Sequence, residues 1–144
     1  PANTLARMLN PSKARHSYHG VFHKHFDERH IQVARLLQDN AVSCLRGEGG
    51  EVEVNPERTF VQHMFKQGQI QQQEFPELLA NRQIKPRQLE PQQLQLFWNG
   101  DLEFEYGYQA ITGTLASFLT LIEDLAPQQA LQQAKMLWQA RGQF

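Results

Sequence analysis

Between His16 and Leu45 the chain reads strand, helix, strand, and no other stretch narrows the fold as far. His16 to Phe22 is rich in aromatic and β-compatible residues, which predicts a short strand. Gly20 inside it marks a place where another backbone comes close. Asp27 is placed to cap the next helix, with Glu28 favoured near the positive N-terminus. Ile31, Ala34 and Leu37 then recur at helical spacing with Val33 beside them, so one helix face is apolar. That helix is expected to end near Gln38. Ala41 to Leu45 follows as a buried strand. Two strands joined through a helix within 30 residues form a βαβ unit, which requires a parallel pair.

The remainder is read around that unit. The 144 residues suit a single α/β domain. Asn3 to Leu9 is predicted helical and Asn10-Pro11 stops it, because the residue before proline avoids the α region. The chain opens at Pro1 with helix interior already under way, which fits a fragment or processed product. Glu51-Val52-Glu53-Val54 alternates with period two and is expected to be a strand. Thr59 to Phe65 and the Ile70 region are expected to form a hairpin around Gly68. Residues 71–95, with Gln71-Gln72-Gln73 and prolines 76, 86 and 91, read as extended crossover and loop. Tyr108 to Leu125 is free of charge until Glu123, a helix buried on most sides. Gly107 and Gly113 fit it only where the helix packs closely on its surroundings. Pro127 opens a last helix whose stripe is Ala130, Ala134, Leu137 and Trp138, ending at Gly142.

Charge and chemistry-bearing residues are unevenly placed. Residues 1–47 carry seven Lys or Arg against three acids, a net of +4, and five of the six histidines; residues 48–144 carry seven against twelve, a net of −5. The basic block suits phosphate or a solvated surface. The overall pI of about 6.7 argues against a uniformly basic nucleic-acid binder. No apolar run is long enough to span a membrane. The single Cys44 cannot pair within the chain, which favours a reducing, cytoplasmic setting, and its apolar strand makes it a core residue rather than a nucleophile. His23 and His25 share a face if extended, acceptable for a transition metal, yet no third and fourth ligand stands at a telling spacing. Phe97, Trp98, Phe104, Tyr106 and Tyr108 are interleaved with acids, which disfavours stacking on nucleic acid.

The sharpest local feature is Gly47-Glu48-Gly49-Gly50 after the second strand. Glycines there permit positive φ and close backbone approach. The turn is neither a phosphate loop with its Gly-Lys-Ser/Thr nor a dinucleotide fingerprint, which needs a helix to follow. It lies where open α/β sheets place ligands, at a strand's carboxyl end. Glu51 and Glu53, on one face of the expected strand, are near enough to hold a hard cation such as Mg²⁺ or to make a solvated acidic edge.

Leu9-Asn10-Pro11 leading to His19-Gly20-Val21-Phe22 resembles the helix, Asn-Pro and Gly-Val-Tyr strand of the anthranilate phosphoribosyltransferase family (glycosyltransferase family 3). The family's following strand ends His-Gly-x-x-Gly, similar to Arg46 to Gly50, and its Ala-rich end is similar to Ile111–Leu121 and Ala130–Arg141. The run over residues 47–56, Gly-Glu-Gly-Gly-Glu-Val-Glu-Val-Asn-Pro, is closest to a paralogous subfamily that binds DNA and RNA. The resemblance covers nearly the whole chain and is weakest over residues 66–100. It implies the C-terminal portion of a mixed, mainly parallel sheet flanked by helices, as in nucleoside phosphorylase and phosphoribosyltransferase-type catalytic domains. A helical N-terminal domain, through which members form homodimers, and the first half of the α/β domain would then precede residues 1–144.

By the same resemblance, Asn10, Arg46, Gly47, Gly49 and Gly50 line a phosphate and substrate cleft. Glu53, helped by Glu51, holds Mg²⁺, although Val52 stands where the family has an acid. The implied reaction transfers phosphoribosyl from phosphoribosyl pyrophosphate to an anthranilate-like amine. The resemblance assigns no catalytic residue to this segment. The paralogous alternative is a non-catalytic protein binding DNA or RNA through a basic surface.

Overall fold

The structure, a computed structural model, describes residues 6–81 and 90–143. Its centre is a four-stranded sheet in the order β1-β2-β3-β4, with β1 His16–Val21, β2 Ala41–Arg46, β3 Phe60–Lys66 and β4 Gln69–Phe75. Helix α1 (Phe26–Leu36) joins β1 to β2, and these strands pair in parallel from His16–Ala41 to Val21–Arg46. The βαβ reading therefore holds. The other two pairings are antiparallel, so the sheet is mixed and a mainly parallel sheet is not what these residues build.

Side chains alternate across the strands and divide the core in two. Cys44, Val42, Val21 and Phe65 face α1 and bury Ile31 and Ala34 against it. Fully burying a side chain the size of Ile31 stabilises by about 2 kcal/mol. Leu45, Phe60 and Phe75 face the other way. They pack against Ala116 and Leu119 of α3 (Glu105–Glu123) and against Ala130 and Ala134 of α4 (Pro127–Gln139). The result is three layers: α1, the sheet, and the α3–α4 pair. A short helix α2 (Pro91–Asn99) precedes α3 and sets Phe97 5.0 Å from Trp138 of α4.

Four sequence expectations need correcting. Glu51 to Val54 is not a strand: a 3₁₀ turn over Glu48–Gly50 leads into irregular chain. There the Val54 N–H bonds the Thr114 hydroxyl of α3 at 3.0 Å instead of a neighbouring strand. Residues 71–95 are more ordered than a crossover loop, since Gln71 to Phe75 completes β4 and Pro91 to Gln95 opens α2; residues 82–89 lie outside the described residues. Of the helix expected over Asn3 to Leu9, residues 3–5 lie outside them, and beyond Ala6 the chain turns. The last helix ends at Gln139, ahead of Gly142.

The hairpin forms as expected, through Gln67 (φ 53°) and Gly68 (φ 76°), both left-handed as a tight two-residue turn requires. Gly113 also behaves as read. A Cβ there would stand 2.6 Å from Leu78 Cδ1 and 3.2 Å from Val54 Cγ1.

Candidate functional site

The carboxyl ends of β1 and β2 form one rim of the sheet. Gly47 continues the parallel ladder past β2, its N–H donating to the Val21 carbonyl at 3.0 Å. Gly49 (φ 64°) and Gly50 (φ 80°) then reverse the chain through the left-handed region, where glycine carries no Cβ penalty. The turn folds back onto β1 so closely that a Cβ on Gly20 would lie 2.5 Å from the Glu51 carbonyl carbon. Gly20 is thus the close-approach glycine its strand position suggested. The Arg7 guanidinium clamps the contact, donating to the carbonyls of Gly20 and Gly50.

Two cavities open on this rim. One, about 140 Å³, is lined by Arg7, Phe22, His23, His30, Gly49 and Gly50 among others. Behind it His30 Nδ1 lies 3.4 Å from His19 Nδ1. Burial, reinforced by the neighbouring His30 and Arg7, pushes the His19 pKa down to about 4. Burial and Arg7 also lower His30, with Asp27 opposing. The second cavity, about 230 Å³, holds three cations (Lys24, Arg46 and Arg58) together with Asp27, Glu28 and His63.

The expected site residues separate into two groups. Arg46 to Gly50 run consecutively along the rim, but Arg46 lines the 230 Å³ cavity whereas Gly49 and Gly50 line the 140 Å³ one. Asn10 closes its own loop, bonding the Ala14 N–H at 2.8 Å and the Ala14 carbonyl at 3.0 Å. Glu51 is exposed and Glu53 half-buried; without a strand they share no strand face. Glu53 and Val52 line a separate apolar groove of about 500 Å³ with Phe97, Phe104, Tyr106 and Phe118. His23 and His25 are not extended either, because His25 takes φ 67° at the start of α1. Cys44 is fully buried and its thiol pKa is raised by desolvation and by the Asp27 charge, so it is no nucleophile.

Sequence reasoning missed Asp27 and His63. Asp27 was read as a cap for α1, whereas it lies inside the first turn with only 9% of its surface exposed. Its Oδ2 is 3.6 Å from His63 Nε2 on β3. The available signal was alternation: His63 shares its strand face with Phe65, which packs under α1. No protein-family model and no curated protein matches the chain.

Proposed function

We propose that this chain is part of a phosphoribosyltransferase-family protein, and that the rim at Arg46–Gly50 takes the phosphates of phosphoribosyl pyrophosphate. The observation that carries this reading is the glycine turn at the carboxyl ends of the only parallel pair among the described residues, beside a cavity lined by Lys24, Arg46 and Arg58. Guanidinium groups match phosphate oxygens in shape and charge. In the transfer implied by the resemblance, the ribose carbon leaves pyrophosphate for an amine nitrogen without a covalent enzyme intermediate. The protein's task is then to orient the two reactants and stabilise the departing charge. The resemblance gives Mg²⁺ to Glu53 with Glu51 as helper, but the two share no strand face and Glu53 lines the separate apolar groove, so the pair does not fit a shared Mg²⁺ site on this rim. Calorimetry of the full-length protein with Mg²⁺ and phosphoribosyl pyrophosphate tests this. A saturable heat, weakened by Arg46→Ala, is expected; silence at millimolar ligand rejects it.

One observation favours the paralogous reading, in which the rim holds the phosphodiester backbone of DNA or RNA without chemistry. The acids meant for Mg²⁺ share no strand face, and Val52 lies in the apolar groove, while three cations gather in one cavity. On that reading log affinity for DNA falls linearly and steeply with log salt. Salt-independent or absent binding rejects it.

A further inference from the structure

The 230 Å³ cavity holds acids as well as cations. Asp27 and Glu28 occupy the first turn of α1, and His63 rises from β3 beneath it. One side-chain atom from each of the three lies within 4.8 Å of the other two. Asp27 and His63 form a loose ion pair that leaves part of the carboxylate unanswered. Asp27 Oδ2 stops 3.6 Å from His63 Nε2, too far for a good hydrogen bond. Asp27 Oδ1 is buried with no hydrogen-bond partner. A buried carboxylate oxygen left bare costs on the order of 1–3 kcal/mol, so something is expected to meet it. Glu28 is held by a neighbour, its Oε1 lying 3.2 Å from His25 Nδ1, the kind of outer partner that orients a ligating carboxylate.

We propose that Asp27, Glu28 and His63 form a binding site for a divalent transition-metal ion of the zinc class. Zn²⁺ takes imidazole nitrogen and carboxylate oxygen at about 2.0–2.2 Å in tetrahedral sites, which puts neighbouring ligand atoms about 3.4 Å apart. The three groups reach that spacing by shifts of up to about 1.5 Å, within the freedom of the exposed Glu28 side chain. One imidazole with two carboxylates suits zinc or its first-row neighbours and not Mg²⁺, which prefers an all-oxygen octahedral shell. Three protein ligands leave a fourth position open toward the cavity. Lys24, Arg46 and Arg58 line that same space. Their charge lowers the affinity for a bare cation and draws an anionic group to the open position. This site is separate from Glu51 and Glu53, and it stands whether or not the rim binds phosphoribosyl pyrophosphate.

The probe is Zn²⁺ itself, titrated calorimetrically into full-length protein stripped with a chelator, with Co²⁺ as a spectroscopic substitute. One equivalent is expected, with Co²⁺ giving the visible bands of a four-coordinate ion. Asp27→Asn and His63→Gln are each expected to weaken Zn²⁺ by at least about a hundredfold, while His16→Gln leaves it unchanged. Thermal unfolding supplies a second readout. Zn²⁺ raises the wild-type midpoint, and Asp27→Asn melts no lower than wild type without metal yet ignores added Zn²⁺. The proposal is overturned if wild type shows no stoichiometric Zn²⁺ uptake, or if uptake survives Asp27→Asn and His63→Gln. Neither result bears on Mg²⁺-dependent phosphoribosyl pyrophosphate binding, which is titrated separately.

Discussion

The two faces of the sheet bury polar groups on opposite terms. Under α3, Gln62 is the hub of a neutral network. Its Nε2 donates to Ser43 Oγ at 2.8 Å and to the Ser117 carbonyl at 2.7 Å, and lies 3.2 Å from Tyr18 Oη. Its Oε1 accepts from Thr120 at 2.8 Å. Lys66 on the same face pairs with Asp124 and with the Leu121 carbonyl at the C-terminus of α3, where the helix dipole favours a cation. At the β4 edge Gln73 Oε1 goes without a partner, but the centre is closed. Under α1 most of the buried polar groups are ionisable: His19, His30, Asp27 and Cys44. Two of their atoms, Asp27 Oδ1 and His30 Nε2, have no partner. A closed neutral network fixes one arrangement of layers, whereas open ionisable groups beside cavities are what a ligand site requires.

The largest effect belongs to the closed face. Gln62→Ala leaves a void and strips hydrogen-bond partners from Ser43, the Ser117 carbonyl and Thr120, so a loss of about 3–5 kcal/mol is expected. Urea unfolding measures it. A loss below about 1 kcal/mol would mean that this network fixes little and that the two faces do not differ as described.

The open face should respond to acid. His19 has its ordinary pKa of 6.5 when unfolded and about 4 when folded, because burial, His30 and Arg7 all disfavour its charge. Between those values the unfolded chain binds the proton that the native chain refuses. Stability is therefore fully present above pH 6.5 and is lost as the pH falls toward 4. A loss on the order of 2 kcal/mol is expected. Thermal midpoints in chelator from pH 8 to pH 4.5 follow it, and His19→Gln should flatten the profile. An unchanged slope in that variant would place the acid sensitivity elsewhere.

These contrasts were only partly readable beforehand. The βαβ unit, the Gly68 hairpin and the buried helix after Gly107 carry local signals: period, turn chemistry and absence of charge. The rim glycines were readable for the same reason. The 51–54 segment misled because its alternation is answered by Thr114 of α3, distant in sequence. The Gln-rich extension of β4 beyond Ile70 was missed because an exposed edge strand needs few apolar side chains; its anchor is Phe75, stacked 4.5 Å from Phe60. Asp27 and His63 meet only because α1 crosses above β3, a fact of packing that neither residue's neighbours announce.

The smallest effect probes the element both faces share. The β3–β4 hairpin carries Gln62 toward α3 and His63 toward α1, and its turn places Gln67 at φ 53°, which asparagine tolerates better than glutamine. Gln67→Asn creates the Asn-Gly pair favoured in such turns and is expected to add about 0.5 kcal/mol. The turn touches neither Gln62 nor His19, so the gain should be equal at pH 8 and pH 5, moving the stability profile upward without tilting it. A tilt would show that the hairpin transmits strain between the faces, and the acid response could then no longer be assigned to the α1 side alone.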